Sequence, residues 1–301
     1  MSNLRILSLL PAATEIVYLL GLEKYLVGVS DNCDYPPQAK SLPKVTECQI
    51  DNNLTSRQID EKVKSLGHRG INVSHLDEVR LKELKPNLIL TQDICQVCAV
   101  SYTQVQRAAR VLDGDTKIIS LEPESVEDIL DNILLIGEKT GKDKKAKKVL
   151  RNLKERLKNL DSKFMIHDSP KPKVLVVEWL DPIMIAGHWV PEMVEKAGGE
   201  MLITKVGEKS HTINLTQMKL NPDILIFSPC GFDTQRTLKE RKVIKKIVKH
   251  FKNAKVYLVD GNSYMTRPGP RIVDGIEILA EILQAEVFLR KHSKKDWMEF
   301  K

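Results

Sequence analysis

KELKPNLIL, at residues 82–90, and MKLNPDILI, at residues 218–226, share one pattern. In each stretch a helix-forming segment stops before a proline, Pro86 or Pro222, because proline cannot continue a helix. An apolar run typical of a buried strand follows directly. Because the same helix–strand step occurs in both parts of the chain, we predict two similar α/β lobes, each with a mostly parallel sheet.

The flanking sequence extends this plan in both directions. Strands are predicted at residues 5–9, 25–30, 88–91, 117–121, 173–177, 183–185, 224–227 and 255–259. Helices are predicted at residues 14–20, 76–84, 102–112, 190–197 and 271–289. Residues 125–162 keep apolar helical spacing over many turns, and Gly141 marks a break or kink in them. We therefore predict lobes at 1–124 and 166–301, joined by a long connecting helix at 125–165.

Composition favours a globular protein and limits its partners. The 301 residues are 42% hydrophobic and 29% charged, which is sufficient for a packed core in each lobe. The net charge of +7 is concentrated in residues 142–158 and 239–255, where apolar residues recur at helical spacing. Solvated helix faces explain these runs, and aromatics at 5% are too few for a base-stacking surface. We predict no nucleic-acid partner.

The first residues predict a location inside the cell. They lack the charged, apolar and small-residue order of a signal peptide, and no apolar run is long enough to span a bilayer. We therefore expect a cytoplasmic protein, or a periplasmic or extracellular one if the sequence has been trimmed. The five cysteines are an odd number, which argues against a disulfide framework.

Six blocks of sequence resemble a known family when they are taken in order. They are SLLPAATEIVYLLG (8–21), VSDNCDYPPQ (29–38), KELKPNLILT (82–91), residues 187–199, NPDILIF (221–227) and RPGPRI (267–272). The chain resembles the periplasmic-type substrate-binding proteins that capture cobalamin, haem and ferric siderophores for ABC importers. It is most similar to the cobalamin-binding members. The resemblance implies two lobes joined by one long helix, with the ligand in a cleft between the lobes.

Candidate ligand-binding residues occupy the loops that follow the predicted strands, where parallel α/β sheets bind ligands. The resemblance implies that Tyr35 touches the corrin, and it places further contacts near residues 179–189 and 264–267. Aromatic rings there could hold a flat macrocycle, and an arginine could pair with its carboxylates or amides. The predicted ligand-binding residues are Tyr35, Trp179, His188, Trp189, Phe232, Tyr264 and Arg267.

Four cysteines raise a second hypothesis. Cys95 and Cys98 form a C-x-x-C pair, while Cys33 and Cys230 each follow a predicted strand. If all four face one cleft, they could bind zinc or an iron–sulfur cluster. The alternatives are a redox-active pair and inert thiols that pack as small apolar side chains.

Three functions follow from these observations. The first is a non-catalytic cytoplasmic protein that binds a corrinoid or related metal chelate, because no G-x-S-x-G, H-E-x-x-H or G-x-G-x-x-G motif is present. The second is a metalloprotein or enzyme with the cysteine-ligated site. The third is the substrate-binding component of an ABC importer, whose partner is a membrane permease.

Overall fold

The computed structural model describes residues 3–92, 102–110, 112, 116–167, 170–215 and 220–301. The chain divides into two compact α/β units. The first unit comprises the residues up to Leu54 together with Gln58–Glu122 and Leu130–Val149. The second comprises Thr55–Arg57, Pro123–Ile129 and Leu150–Lys301.

The first unit is built on a parallel sheet. Its strands are β1 (Ile6–Ser8), β2 (Leu26–Val29), β3 (Thr46–Cys48), β4 (Ser74–Leu76), β5 (Leu88–Thr91) and β6 (Lys117–Ser120). Its helices are α1 (Pro11–Leu19), α2 (Ser56–His68), α3 (Glu78–Leu84) and α4 (Tyr102–Ala109). The order β2-β1-β5-β6 is parallel throughout, and β3 with β4 forms a separate antiparallel pair.

The Pro86 stretch behaves as its sequence predicts. Helix α3 ends at Leu84, its C-cap Lys85 has a left-handed φ of 42°, and β5 begins three residues after Lys85. Leu81 of α3 and Ile89 of β5 then meet in one buried cluster. A Cβ on Gly28 of β2 would lie 2.7 Å from Leu84 Cδ1, so the glycine allows α3 to pack closely on the sheet.

The predicted connector forms two helices, α5 (Val126–Lys139) and α6 (Asp143–His167). The predicted break at Gly141 is confirmed, since this residue has a φ of 64° and the helical hydrogen bonding stops there. A Cβ on Gly137 would lie only 2.4 Å from Ala146 Cβ, so α5 and α6 approach closely beside the break. The lobe limits 1–124, 125–165 and 166–301 stay a prediction.

The second unit contains a larger sheet. Its strands are β7 (Lys173–Trp179), β8 (Met184–Ile185), β9 (Glu200–Met201), β10 (His211–Thr212), β11 (Ile224–Phe227), β12 (Lys255–Val259) and β13 (Trp297–Glu299). Strands β7, β11 and β12 are parallel neighbours, while β8, β10 and β13 are antiparallel additions at the two sides. Helices α7 (Val190–Lys196), α8 (Thr234–Lys239), α9 (Arg241–Val248) and α10 (Ile272–Leu283) accompany this sheet.

The predicted α/β class with mostly parallel sheets is confirmed, and the differences concern several short strands, the last predicted helix and one further helix. The predicted helix 271–289 ends at Leu283, and a strand that was not predicted, β13, follows it. Strands β3 and β4 and helix α2 were also not predicted. Within the described residues, every helix is too short or too polar to cross a bilayer.

Candidate functional site

The loop after β2 presents Tyr35 at the surface of the first unit. Asp31 anchors this loop to β3, because its carboxylate accepts hydrogen bonds from Thr46 Oγ1 at 2.6 Å and from Cys48 N at 2.8 Å. Lys44 Nζ donates to Cys33 O at 2.9 Å from the other side. The Tyr35 side chain is 43% exposed, so its ring is accessible to a ligand.

Cys33 has the environment of an inert thiol. It is fully buried, and its Sγ lies 3.1 Å from both Thr14 Oγ1 and Ser30 Oγ. Burial raises the pKa of the Cys33 thiol more than these hydroxyl contacts lower it, so the thiol stays neutral at pH 7. Metal binding needs the thiolate, and this environment disfavours it.

The zinc or iron–sulfur hypothesis therefore gains no support. Cys95 and Cys98 lie outside the described residues, and Cys230 is half-buried. Within the part of the chain that the structure describes, no cysteine belongs to a group of potential metal ligands.

Trp179 and Phe232 lie at the carboxyl ends of neighbouring strands in the second unit. Trp179 is the last residue of β7, and Phe232 lies in the loop after β11. Their ring centroids are 5.4 Å apart. The guanidinium of Arg236, a residue of α8, lies 3.9 Å from the centroid of the Phe232 ring. Phe232 is only 3% exposed, whereas Trp179 is half-buried. The buried Phe232 ring therefore packs against the Trp179 ring from the interior of the protein.

His188 occupies a strained and well-defined backbone position. Its φ is 54°, a left-handed value that non-glycine residues rarely adopt. The backbone is held there because His188 N donates to Glu208 O at 2.5 Å and Gly207 N donates to His188 O at 2.9 Å. A Cβ on the preceding Gly187 would lie 2.3 Å from Glu208 O, which accounts for the glycine.

The side chain of His188 is kept neutral. Burial lowers its pKa from the ordinary value, and Lys209 acts in the same direction while Glu124 opposes both. At pH 7 the imidazole is therefore uncharged, and one ring nitrogen can accept a hydrogen bond or coordinate a metal carried by a ligand.

Trp189 was predicted to contact the ligand, which stays a prediction, and the structure places its ring largely in the interior. The side chain is only 6% exposed, and its Nε1 donates to Met265 O at 2.8 Å. This bond joins the loop that carries His188 to the segment after β12. Trp189 and Phe232 are thus both largely buried, and each packs against the loops that carry other predicted ligand-binding residues.

One turn of π-helix, Gly261–Met265, follows β12 and carries Tyr264. It is fixed at its start because Asp260 Oδ1 accepts a hydrogen bond from Ser263 N at 2.8 Å. A Cβ on Gly261 would lie 2.3 Å from Pro229 O, so this turn packs directly on the backbone of the loop after β11. The side chains at the carboxyl ends of β11 and β12 are therefore held in one rigid arrangement.

Two polar contacts orient the side chains of this segment. Tyr264 Oη donates to Asp296 Oδ1 at 2.8 Å, and the Arg271 guanidinium lies 5.7 Å from the Tyr264 ring centroid. Burial, followed by the bond to Asp296, raises the pKa of Tyr264 well above its ordinary value, so the phenol stays protonated. Arg267 Nη2 donates to Asn262 Oδ1 at 2.8 Å, which ties this arginine to the π-helical turn.

A second network, which sequence reasoning missed, lies behind Tyr264. We call residues 291–299 the C-terminal clasp. Glu281 of α10 is 4% exposed, and its carboxylate accepts hydrogen bonds from Lys291 N at 2.9 Å, His292 Nδ1 at 2.8 Å and Trp297 Nε1 at 2.9 Å. The sequence signal was a carboxylate on the otherwise apolar stretch of residues 278–283, which indicates a buried partner.

A cluster of Asp274, Glu277 and His292 has the spacing of metal ligands but already has a cation. The Arg156 guanidinium donates to both carboxylates, and the Nη2–Oε2 distance to Glu277 is 2.8 Å. The hydrogen bond to Glu277 outweighs desolvation and raises the pKa of Arg156 further, so this charge is permanent. The cluster is an ion-pair network that joins α6 to α10.

From the carboxylates that hold the C-terminal clasp, we predict that the protein loses stability in acid. Burial alone would raise the pKa of Glu281, and likewise of Asp296, but the hydrogen bonds that each carboxylate accepts lower both below their usual values. A carboxyl with a lowered folded-state pKa stabilises the fold above its unfolded-state pKa of about 4, and this contribution is lost as the pH falls through the folded-state value. We expect the free energy of unfolding, measured in urea, to fall steeply below about pH 4. Glu281→Gln should flatten that fall, and an unchanged slope would contradict it.

The comparisons with known proteins agree with this architecture. A family profile described as "Periplasmic binding protein" matches residues 6–262. The chain belongs to the periplasmic binding protein family. This periplasmic binding protein is 26% identical to an uncharacterized ABC transporter substrate-binding lipoprotein, YvrC, of Bacillus subtilis, over 94% of the chain and 81% of the relative.

Two solved structures show the same fold. The periplasmic vitamin B12-binding protein BtuF of Vibrio cholerae superposes with a TM-score of 0.67 at 21% identity, covering 93% of this chain and 96% of BtuF. A periplasmic heme-binding protein from Pseudomonas aeruginosa superposes with a TM-score of 0.71 at 18% identity, covering 99% of this chain and 98% of the other.

The predicted cytoplasmic location is wrong. The family is that of periplasmic binding proteins, and the relatives that match are a lipoprotein and periplasmic proteins. The prediction depended on the pattern of the first residues and on the lack of a long apolar run.

Proposed function

We propose that this periplasmic binding protein is the substrate-binding component of an ABC importer and acts outside the cytoplasmic membrane. Its ligand is a corrinoid or a related metal chelate such as haem. The observation that carries the proposal is the rigid group of aromatic and polar side chains at the carboxyl ends of β7, β11 and β12. Relatives with the same fold are named for vitamin B12 and heme binding, which supports this class of ligand.

Each side chain in the second unit suits one part of such a ligand. Trp179, supported by Phe232, offers a flat apolar face for a macrocycle. Arg267 is hydrogen-bonded to Asn262 of the same turn that carries Tyr264, and it can pair with the carboxylate or amide groups at the ring edge. The neutral imidazole of His188 can accept a hydrogen bond or approach the central metal. Tyr35 of the first unit, which is 43% exposed, offers a further aromatic ring for ligand binding.

The metalloprotein hypothesis is not proposed, because Cys33 is a buried neutral thiol. A membrane permease is the proposed partner, as the ABC transporter component YvrC suggests. Here the metal would be part of the transported ligand and not a resident cofactor.

Spectroscopic titration tests the proposal. Purified protein is mixed with cyanocobalamin and, separately, with hemin, while the absorption of the ligand and the fluorescence of tryptophan are followed. We expect saturable binding of one of them with one ligand per chain. Trp179→Ala should weaken that binding by roughly 10- to 100-fold, because a central aromatic contact of this kind is typically worth 1.4–3 kcal/mol.

Tyr25→Ala is the matched control. Tyr25 is a partly buried ring at the amino end of β2, away from the loops that follow the strands, and its loss should leave affinity within about twofold. Absence of binding to both probes would overturn the proposed ligand class. Equal effects of the two substitutions would overturn the proposed binding surface.

A further inference from the structure

Helix α9 carries a stripe of positive charge on one face. Lys242, Lys245, Lys246 and Lys249 are all exposed, and their spacing of i, i+3, i+4 and i+7 puts them on the same side of the helix. The opposite side is apolar, with Ile244 and Ile247 buried in the core of the second unit. The helix therefore has a fixed orientation that turns the four ammonium groups outward.

Exposed lysines continue beyond the helix. Lys252 and Lys255 follow the stripe to the amino end of β12, and we call these six lysines the basic strip. Strand β12 carries the proposed ligand-binding loop at its carboxyl end, so the strip ends at the opposite edge of the sheet. A partner on that end of the strip leaves the ligand-binding side chains accessible.

Acidic side chains do not neutralise the basic strip. Residues 241–255 contain no Asp or Glu. The preceding Glu240 is buried and accepts hydrogen bonds from Ser56 N and Arg236. Within the described part of the chain the first four of these lysines form no ion pair, and the exposed acids Asp223 and Glu299 lie beside Lys255 and Tyr257 on the neighbouring strands.

Such an arrangement is unfavourable for the helix itself. Like charges at i, i+3 and i+4 repel each other and destabilise an isolated helix. A solvated helix face needs only polar residues, and a mixture of positive and negative side chains would avoid this repulsion. The uncompensated stripe is therefore suited to an external anionic partner.

We propose that the basic strip binds the anionic surface of a lipid bilayer. A row of lysines suits this partner, because compact ammonium groups are attracted by the diffuse negative potential of anionic headgroups. Proteins that bind single-stranded nucleic acid add aromatic stacking platforms, and the aromatic residue in this segment, Phe251, is buried. The proposal is independent of which ligand the protein carries.

Vesicle co-sedimentation tests the basic strip. Full-length protein is mixed with vesicles of equal parts phosphatidylglycerol and phosphatidylcholine, or of phosphatidylcholine alone, in about 0.1 M salt. We expect binding to the anionic vesicles only. Each lysine near such a surface contributes roughly fivefold, so the quadruple variant K242Q/K245Q/K246Q/K249Q should lose at least about 100-fold in partitioning.

The control removes the same amount of charge elsewhere. Lys144, Lys145, Lys147 and Lys148 are exposed lysines of α6, and their replacement by Gln changes the net charge of the protein equally. This control variant should keep partitioning within about threefold of the unmodified protein. Thermal melting and circular dichroism confirm that both variants are folded.

Three results would overturn the proposal. They are absence of binding to anionic vesicles, equal losses in the two quadruple variants, and strip-dependent binding to a single-stranded DNA oligonucleotide without binding to vesicles. Equal losses would mean that net charge alone acts, and DNA binding would assign the strip to another class of partner.

Discussion

Glu281→Leu is expected to lower the free energy of unfolding by about 3 kcal/mol. Leucine fills a similar volume on α10, but it leaves Lys291 N, His292 Nδ1 and Trp297 Nε1 without their common acceptor. Each buried donor that loses its partner costs about 1–3 kcal/mol, and part of this is recovered as water reaches the exposed end of the clasp. The C-terminal clasp should loosen from α10.

Urea unfolding followed by circular dichroism measures this loss. Glu286→Ala is the control, because Glu286 is an exposed carboxylate shortly after the end of α10 and should change stability by less than about 0.5 kcal/mol. Proteolysis should also cut the Glu281→Leu variant earlier within residues 285–301. A change as small as that of the control would mean that the carboxylate does not hold the clasp.

Gly261→Ala is expected to cost about 2–4 kcal/mol of stability and to weaken ligand binding. The new Cβ would lie 2.3 Å from Pro229 O and 2.8 Å from Ser228 O. Both atoms belong to the backbone and cannot swing aside as a side chain does. The π-helical turn must therefore move away from the loop after β11, and it carries Tyr264 with it.

A second glycine provides a sharp comparison. Gly67 lies inside α2, has no atom within 4 Å of an added Cβ, and does not have a left-handed backbone. Gly67→Ala should therefore be neutral or stabilising by up to about 1 kcal/mol, because alanine favours helix. Thermal and chemical unfolding should show that Gly261→Ala lowers the free energy of unfolding and that Gly67→Ala does not. Equal changes in the two variants would refute the close contact at Gly261.

The parallel core of each sheet could be predicted from the sequence because its signals are local. Residues 88–91, 224–227 and 255–259 are apolar runs with clear boundaries, and the strands occupy those positions. Strands β3, β4 and β13 have only three residues each, and they exist because a distant partner supplies their hydrogen bonds. Short elements of this kind leave no periodic pattern to detect.

The predicted aromatic ligand-binding residues include both buried and partly exposed side chains, and the sequence could not distinguish the two. Trp179 and Trp189 have the same residue type and lie in the same predicted connection, yet Trp189 is buried with its indole N–H bonded to Met265 O. Burial depends on which segment packs above a side chain, and here that segment comes from beyond β12. The link from Tyr264 to Asp296 escaped notice for the same reason.

The short edge strands of the second sheet disfavour self-association. Its parallel centre is flanked by β8 and β10 on one side and by β13 on the other, and each of these strands has two or three residues. Open strand edges attract further strands from other molecules and can start aggregation, and short edge strands offer little backbone for that purpose. The short edge strands of this sheet thus help the protein to stay dispersed at high concentration.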